Sequence, residues 1–401
     1  PVARQRSCLS FEGRYQAGGG VLNPDTIERI RAFESAGYPV LSVYVGLVPF
    51  EGTDRGIAAR LKEHLSPLRS ADEEMPREAA MSLRRDVEAV LAMEERIAAD
   101  PGHGVAVFRC DGQGYEEYVS LPAPVRDRAV VDAETYVRPL DTILEYFHRY
   151  CAVVIDRRIA SIFRFYQGEL ETWEEMAPEE VRKSNYGGFS GYAERRVRSR
   201  AESIALHHYR DAAARLYELF RSDGFDLLLI GGPSDHVEGL IRELNFELKV
   251  KVAGTFAIDV NTMTPAIVLE HCRRIAADYD RRREERLVSQ LVDATMSGGL
   301  AVLGKDAVRN AVNQRAVSVL VVQAGAAIPG AVCDDGWVVE EASDSECEIH
   351  GGIARDVPDL YDALGNAVRR FGGEVRNILA DTKLQEHEIG AFLRFDPSVS
   401  G

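Results

Sequence analysis

Residues 185–200, NYGGFSGYAERRVRSR, bring two adjacent glycines, a phenylalanine and a row of arginines together. Gly187 and Gly188 permit backbone angles and a close approach that other residues do not allow. Phe189 offers a ring that can stack on a nucleobase. The sequence therefore predicts a loop that contacts RNA. The alternatives are an ordinary flexible loop and a Phe189 side chain that packs on its own domain.

The cations of this segment are the second part of the prediction. Only Glu194 opposes them between residues 182 and 200, and they are Arg182, Lys183, Arg195, Arg196, Arg198 and Arg200. Because each arginine–phosphate contact adds a salt-dependent contribution to affinity, we expect these side chains to bind the RNA backbone. A solvated helix face is the alternative.

Charge and composition limit what kind of protein this is. The 401 residues carry a net charge of -16, which argues against a protein that coats nucleic acid indiscriminately, so any RNA contact must be local. No apolar run reaches the roughly 20 residues that span a bilayer, and the N-terminus has no signal-peptide core. Six scattered cysteines without a CxxC pair suggest reduced thiols. We expect a cytoplasmic protein with no membrane partner.

Candidates for other chemistry are weak. Cys333, Cys347 and His350 resemble a remnant of a zinc site, but structural zinc normally has four ligands, so we expect no metal and no cofactor. The turn GGPSDH (231–236) lacks the Gly-Lys-Ser/Thr ending of a phosphate-binding loop. We expect Ser234 or Asp235 to cap the helix that follows it.

Three further polar residues are given structural roles. Asp156 is expected to form a turn. His207 and His208 are adjacent on one helix and have no metal-ligand partner in the sequence, so both are expected to pack.

The elements that must position these residues alternate between helix and strand. Apolar runs predict strands at 39–45, 104–110, 115–121, 226–230 and 317–323, and a three-stranded meander within 151–173. A helix is predicted from Asn23, as its cap, to Gly37, and others over 77–100 and 264–295. A long helix follows the glycine loop, and its spacing predicts one buried apolar stripe made of Val197, Ala201, Ile204, His208, Ala212, Leu216 and Leu219. These patterns predict mixed α/β sheets in three domains: 1–145, 146–279 and 280–401.

The order of these pieces resembles the archaeal and eukaryotic class I peptide-chain release factors and Pelota, and more specifically their bacterial relatives. The pieces that carry the resemblance are VLSVYV, CAVVIDRRIASIFRFYQGEL, the glycine loop with its helix, FDLLLIGGPSDHVEGLIREL, and the strands near the C-terminus. The resemblance implies three domains that imitate a tRNA. The first would reach the decoding centre, the second the peptidyl-transferase centre, and the third a translational GTPase.

The chain departs from that family at the position that matters most for catalysis. Gly187 and Gly188 fall on the two glycines of the Gly-Gly-Gln motif, Ser190 on the serine that follows it, and Arg196 and Arg198 on helix arginines. Phe189 occupies the glutamine position, and Ala193 replaces a further arginine. A phenyl ring cannot position the attacking water as the glutamine amide does. We therefore predict no catalytic residue for peptidyl-tRNA hydrolysis by the family's usual route.

The first domain departs as well, since GTDRGIAARLKEHL stands where stop-codon readers carry Asn-Ile-Lys-Ser. The resemblance therefore implies a ribosome-binding factor of rescue or hibernation, as some bacterial relatives such as Balon occupy the A site without cleavage. It also implies an elongation-factor-type GTPase partner for the third domain. The alternatives are a peptidyl-tRNA hydrolase that positions water with the loop backbone, and a protein that binds some other RNA.

Overall fold

The computed structural model describes residues 4–5, 20–47, 56–68, 75–177, 192–333, 336–339 and 354–396; at 4–5, 20–21 and 192–201 it describes the backbone. The helices of this part of the chain are α1 (Pro24–Arg31), α2 (Ile57–Leu65), α3 (Arg77–Ala92), α4 (Glu94–Ala98), α5 (Arg138–Tyr146), α6 (Tyr192–Ser222), α7 (Ser234–Glu243), α8 (Phe246–Lys251), α9 (Pro265–Met296), α10 (Lys305–Asn313) and α11 (Leu360–Arg370).

The strands of the same residues fall into four sheets. They are β1 (Arg4–Gln5), β2 (Gly20–Val21), β3 (Val40–Gly46), β4 (Gly104–Cys110), β5 (Tyr115–Leu121), β6 (Arg128–Asp132), β7 (Tyr150–Ile155), β8 (Ala160–Tyr166), β9 (Glu169–Met176), β10 (Leu227–Gly231), β11 (Val252–Phe256), β12 (Ala301–Leu303), β13 (Val317–Gln323), β14 (Gly330–Cys333), β15 (Val338–Val339), β16 (Ala354–Val357), β17 (Glu374–Ile378) and β18 (Ile389–Leu393).

The chain forms two compact units. The first contains β1 and Tyr146–Asp280, and the second contains the described residues from β2 to Glu145 and from Arg281 onward. The predicted mixed α/β class is confirmed. The division into three domains stays a prediction. Within the part of the chain that the structure describes, no helix has both the length and the apolar character needed to cross a bilayer.

The first unit is built on one six-stranded sheet in the order β1-β9-β8-β7-β10-β11. Strands β7, β8 and β9 form the predicted antiparallel meander, whereas β10 and β11 run parallel to β7. Side chains alternate between the two faces of β7, as pleating requires. Cys151, Val153 and Ile155 pack with α6, α7 and α8, while Ala152 and Val154 pack with the first half of α9. The sheet is therefore buried on both sides.

The second unit contains the other three sheets. The order β2-β5-β4-β3-β6 makes a sheet that packs on α2, α3 and α4, and the order β12-β18-β13-β17 makes one that packs on α10 and α11. The second half of α9 packs on this latter sheet through Val288, Leu291 and Val292. Strands β15, β14 and β16 form a small antiparallel sheet.

Two details of the predicted helices are wrong. The first helix has the predicted Asn23 cap, whose Oδ1 accepts a hydrogen bond from the amide of Thr26, but it ends at Arg31 rather than at Gly37. The predicted helix 77–100 is two helices that meet at Met93. Strand β1 was not predicted, and it pairs with β9 through Arg4 and Gln5 in the first unit.

Polar contacts join Arg138 of α5, and Tyr136 just before this helix, to the C-terminal part of the second unit. The guanidinium of Arg138 donates to Asp359 Oδ2 at 2.9 Å and to the carbonyl oxygens of Ala326 and Gln323. Tyr136 donates to the same Asp359 oxygen at 2.8 Å. Arg138 is 6% exposed and Asp359 is 3% exposed. A buried ion pair of this kind requires several hydrogen bonds to offset its desolvation, and here they are present.

Asp362 lies beside this buried pair on α11. Its Oδ1 is buried and accepts no hydrogen bond from any residue that the structure describes. Burial, followed by the charge of Asp359, raises the pKa of Asp362 to about 7, although Arg138 and Arg369 partly oppose the shift. The carboxyl group is therefore largely protonated at mildly acidic pH in the folded protein.

This pKa predicts a pH dependence of stability. Between about pH 4 and pH 7 the folded protein holds a proton on Asp362 that the unfolded chain releases, so the free energy of unfolding falls as pH rises, by at most about 1.4 kcal/mol per pH unit. We expect Asp362→Asn to remove this contribution. Denaturant unfolding of both proteins at pH 5, 6 and 7 measures it. Identical pH slopes for variant and wild type would contradict the assignment.

Candidate functional site

The predicted RNA-binding residues fall on or before the start of α6. Arg182, Lys183 and the loop residues Gly187, Gly188, Phe189 and Ser190 lie outside the described residues. Arg195, Arg196, Arg198 and Arg200 lie in the first turns of α6, where the structure describes the helix backbone. Their roles stay predictions.

Helix α6 is anchored through its C-terminal half. The predicted stripe is confirmed at His208, Ala212, Leu216 and Leu219, which are buried. It is wrong at Ile204, which is only half-buried, and the side chains of Val197 and Ala201 lie outside what the structure describes. From Glu202 to His207 no side chain is buried, and Leu206 is 36% exposed. At 1.5 Å per residue the helix backbone continues about 24 Å from His208 back to Tyr192. The helix therefore places its arginine segment well beyond its buried anchor.

An ion pair fixes the rotation of α6 about its axis. Arg215 donates from Nε and Nη2 to the carboxylate of Glu174 on β9, with distances of 3.0 to 3.1 Å. Glu174 is 6% exposed. A guanidinium that contacts both oxygens of a buried carboxylate adds geometric specificity as well as energy. Sequence reasoning missed this pair because the two residues are far apart along the chain.

The carboxyl ends of β7 and β10 meet beside the point where α6 becomes buried. Asp156 forms the predicted turn after β7, and its Oδ1 accepts hydrogen bonds from the amides of Arg158 and Ile159. Gly232, which follows β10, has a φ of +134°, and a Cβ there would lie 2.2 Å from the carbonyl oxygen of Ile155. Only glycine fits this approach of the two chain segments.

Two predictions about this region are wrong. Helix α7 is preceded by Pro233 at its cap position, so neither Ser234 nor Asp235 caps it. His207 is exposed and contacts the carbonyl oxygen of Ser203 rather than packing in the core.

His208 is buried as predicted. It is 2% exposed, and its Nε2 has no hydrogen-bond partner among the described residues. Burial lowers the pKa of His208, so the imidazole is neutral at pH 7. Nearby, Tyr209 and His236 Nδ1 form a hydrogen bond of 2.5 Å between α6 and α7, for which the sequence gives no signal.

Of the three zinc candidates, Cys333 alone lies among the residues that the structure describes. Cys333 is buried on β14, and Cys347 and His350 lie outside the described residues. Among the side chains that the structure places, no group of three or more metal-ligating residues lies close together.

Comparisons of the sequence and the fold with known proteins find similarity to peptide chain release factors and related proteins. Residues 136–277 match the model of bacterial archaeo-eukaryotic release factor family 10. Peptide chain release factor subunit 1 of Archaeoglobus fulgidus is 24% identical over 310 residues, which cover 73% of this chain and 73% of that protein. The Pyrococcus abyssi protein of the same name is 22% identical over 408 residues, covering 92% and 96%. The structure of S. cerevisiae Dom34, a translation termination-like factor, covers 75% of this chain and 88% of its own, with 10% identity and a TM-score of 0.40.

The mixed α/β chain is therefore similar, over most of its length, to archaeal peptide chain release factor subunit 1. Residues 136–277 match bacterial archaeo-eukaryotic release factor family 10, in agreement with the resemblance that the sequence predicts.

The anchoring of α6 predicts a contrast between two leucines on the same helix. Leu216→Ala removes a fully buried side chain and should lower the free energy of unfolding of the first unit by about 2–5 kcal/mol. Leu206→Ala makes the same change at an exposed position and should cost roughly 0.5 kcal/mol or less. Denaturant unfolding followed by hydrogen exchange of β7 and β10 measures both. Equal losses in the two variants would contradict the proposed anchor.

Proposed function

We propose that this protein is a ribosome-binding translation factor of the release factor and Pelota type that acts in ribosome rescue or hibernation. It binds without reading stop codons, and Phe189 takes the place of a water-positioning glutamine. Its cellular location is then the cytoplasm. The observation that supports the proposal is the one-sided anchoring of α6. The C-terminal half of this helix is buried, and the arginine segment and the glycine loop lie at its N-terminal end in the sequence.

Charge supports a local rather than a general RNA contact. The whole chain carries a net charge of -16, so it is repelled by RNA except where cations concentrate. The segment 182–200 supplies six cations against one carboxylate. Electrostatic attraction therefore favours an orientation in which segment 182–200 approaches the ribosomal RNA first.

Phe189 supports binding rather than hydrolysis. The phenyl ring has no hydrogen-bonding group with which to orient water, whereas stacking on a base is worth about 1–3 kcal/mol. By the same resemblance, residues 280–401 are proposed to dock an elongation-factor-type GTPase. In this proposal the central part binds ribosomal RNA, and the C-terminal part binds the GTPase.

A peptidyl-tRNA hydrolase is the second candidate function, and the Gly187–Gly188 pair is the observation that favours it. In that case backbone amides of the loop would position the attacking water. Peptide release from stalled ribosomes by the wild-type protein, with loss of release in Gly188→Ala, would favour hydrolysis over binding alone.

Salt dependence tests the role of the arginines. We expect wild-type protein to co-sediment with ribosomes more strongly at 50 mM than at 200 mM salt. Arg196→Gln/Arg198→Gln should weaken binding and reduce the slope of log affinity against log salt by roughly 1.4–1.8, if each guanidinium contacts one phosphate.

A matched control is available within the first unit. Arg210→Gln/Arg242→Gln removes the same charge from exposed arginines that pair with Glu243 and Glu238, and it should leave both affinity and slope nearly unchanged. Absence of the wild-type protein from the ribosome fraction even at 50 mM salt would rule out the proposed function.

Stacking by Phe189 is tested by a second pair of variants. Phe189→Ala should weaken ribosome binding roughly 5- to 150-fold, which corresponds to the loss of about 1–3 kcal/mol of stacking. Phe246→Ala makes the same change on α8, where the ring is 81% exposed, and should not affect binding. Filter-binding or fluorescence titration with ribosomes measures both. An unchanged affinity for Phe189→Ala would show that the ring does not contact RNA.

A further inference from the structure

A small polar cavity lies within the second unit. Its walls are residues 132–136, the ends of β14 and β16, and one face of α11, and its volume is about 240 Å³. Sites for drug-sized ligands occupy roughly 300–1,000 Å³, so this cavity suits a smaller organic molecule. Most of the side chains in the walls are polar or charged, so a ligand would be recognised here through hydrogen bonds and charge.

The carboxylates of the cavity wall are paired with cations, with one exception. Three of them contact a guanidinium each, in the pairs Asp132–Arg355, Glu134–Arg370 and Asp359–Arg138. Asp362 forms no ion pair with any residue that the structure describes. Its Oδ1 is buried and accepts no hydrogen bond from these residues, and its Oδ2 accepts one from Asn366 Nδ2 at 3.3 Å.

The carboxyl group of Asp362 is placed where a ligand can use it. Asp362 lies on the face of α11 that lines the cavity, and Asn366 holds it from one turn further along the helix. The χ2 torsion of an aspartate is broad, so rotation about Cβ–Cγ can turn either oxygen toward the cavity. A buried carboxylate without a cationic partner is costly. A cation with N–H groups would supply both the missing charge and the missing donor.

We propose that this cavity binds a small organic cation that carries N–H donors, a primary ammonium or a guanidinium compound, and that Asp362 accepts its charged group. The other carboxylates of the described wall are already neutralised, so an anionic or uncharged ligand would leave Asp362 without a counter-charge. This inference does not depend on the proposed function.

Binding of the cation is coupled to loss of a proton from Asp362. Because burial and Asp359 raise the pKa of Asp362 to about 7, the empty site is largely protonated at pH 6. The ligand binds the ionised carboxylate and keeps its own proton, so the proton of Asp362 passes to solvent. Affinity should therefore rise about tenfold from pH 5 to pH 6 and level off above pH 7.

The other charged or titratable groups that face Asp362 come from several elements. They are Tyr44 on β3, Tyr136, Arg138 and Asp141 on or before α5, Asp359 and Arg369 on or before α11, and the cavity residues Asp132, Glu134, Arg355 and Arg370.

Calorimetric titration of the 401-residue chain tests the site. The probes are methylguanidinium and 1,4-diaminobutane, with 1,4-butanediol as the uncharged counterpart of the diamine. We expect saturable binding of at least one cation at millimolar concentration and no binding of the diol. At pH 6 the heat should vary with the ionisation enthalpy of the buffer, as release of nearly one proton per ligand requires.

Three variants make the result specific. Asp362→Asn keeps the shape of the side chain, and it should weaken binding roughly 10- to 150-fold, as expected for the loss of a hydrogen bond to a charged group, and abolish proton release. Ala363→Leu fills the cavity from the same helix without a change of charge and should also weaken binding. Asp356→Asn removes the same charge from an exposed position on β16 outside the cavity, and it should change neither affinity nor proton release.

Absence of saturable binding by both cations would overturn the inference. Equal affinity in Asp362→Asn and wild type would do the same, because the cation would then be attracted only by the net charge of the chain. Hydrogen exchange of α11 shows whether each variant is folded, and unchanged affinity in folded Ala363→Leu places the ligand elsewhere. The wild type alone is decisive as well, since equal affinities at pH 5 and pH 7 would exclude Asp362 as the acceptor.

Discussion

The packing of the C-terminal half of α6 against the sheet is the interaction on which the position of the candidate site depends. Ala212, Leu216 and Leu219 bury one stripe of the helix, and Arg215 fixes its rotation through Glu174. Because a helix is stiff over this length, an anchor at one end sets the direction of the other end. The direction of α6 therefore sets the position of the helix backbone that carries Arg195, Arg196, Arg198 and Arg200.

In the proposed function, the residues at the other end of α6 determine how the protein acts. The glycine pair would permit entry into a narrow space, the arginines would attract phosphate, and the phenyl ring would stack on a base. None of these three contributions requires bond cleavage. The proposal is therefore that these residues occupy an RNA cavity, and that Phe189 leaves the loop without the side-chain amide that would orient water.

The sequence predicted local structure well where burial is regular. Strands β4, β5 and β13 are rich in buried apolar residues, and their predicted bounds agree with the structure. The buried face of the C-terminal half of α6 could be predicted because helical spacing places His208, Ala212, Leu216 and Leu219 on one side. Short edge strands such as β1 and β15 were missed, since two residues carry no usable periodicity.

Long-range polar contacts were beyond sequence reasoning for a physical reason. Arg138–Asp359 and Arg215–Glu174 join residues far apart in the chain, and a lone arginine in sequence does not indicate which carboxylate it will meet. The cap of α7 was misassigned because Ser234 and Asp235 are both good capping residues, while the helix begins one residue earlier than their preference suggests. The family resemblance, by contrast, was carried by the order of many segments and was confirmed.

A cryo-electron-microscopy map of the protein bound to ribosomes is the most direct test of the central claim. The account predicts density for residues 187–190 within the peptidyl-transferase centre, with the ring of Phe189 stacked on a base and the arginines of α6 next to phosphates. Density that places residues 187–190 against the protein's own body, away from ribosomal RNA, would contradict it.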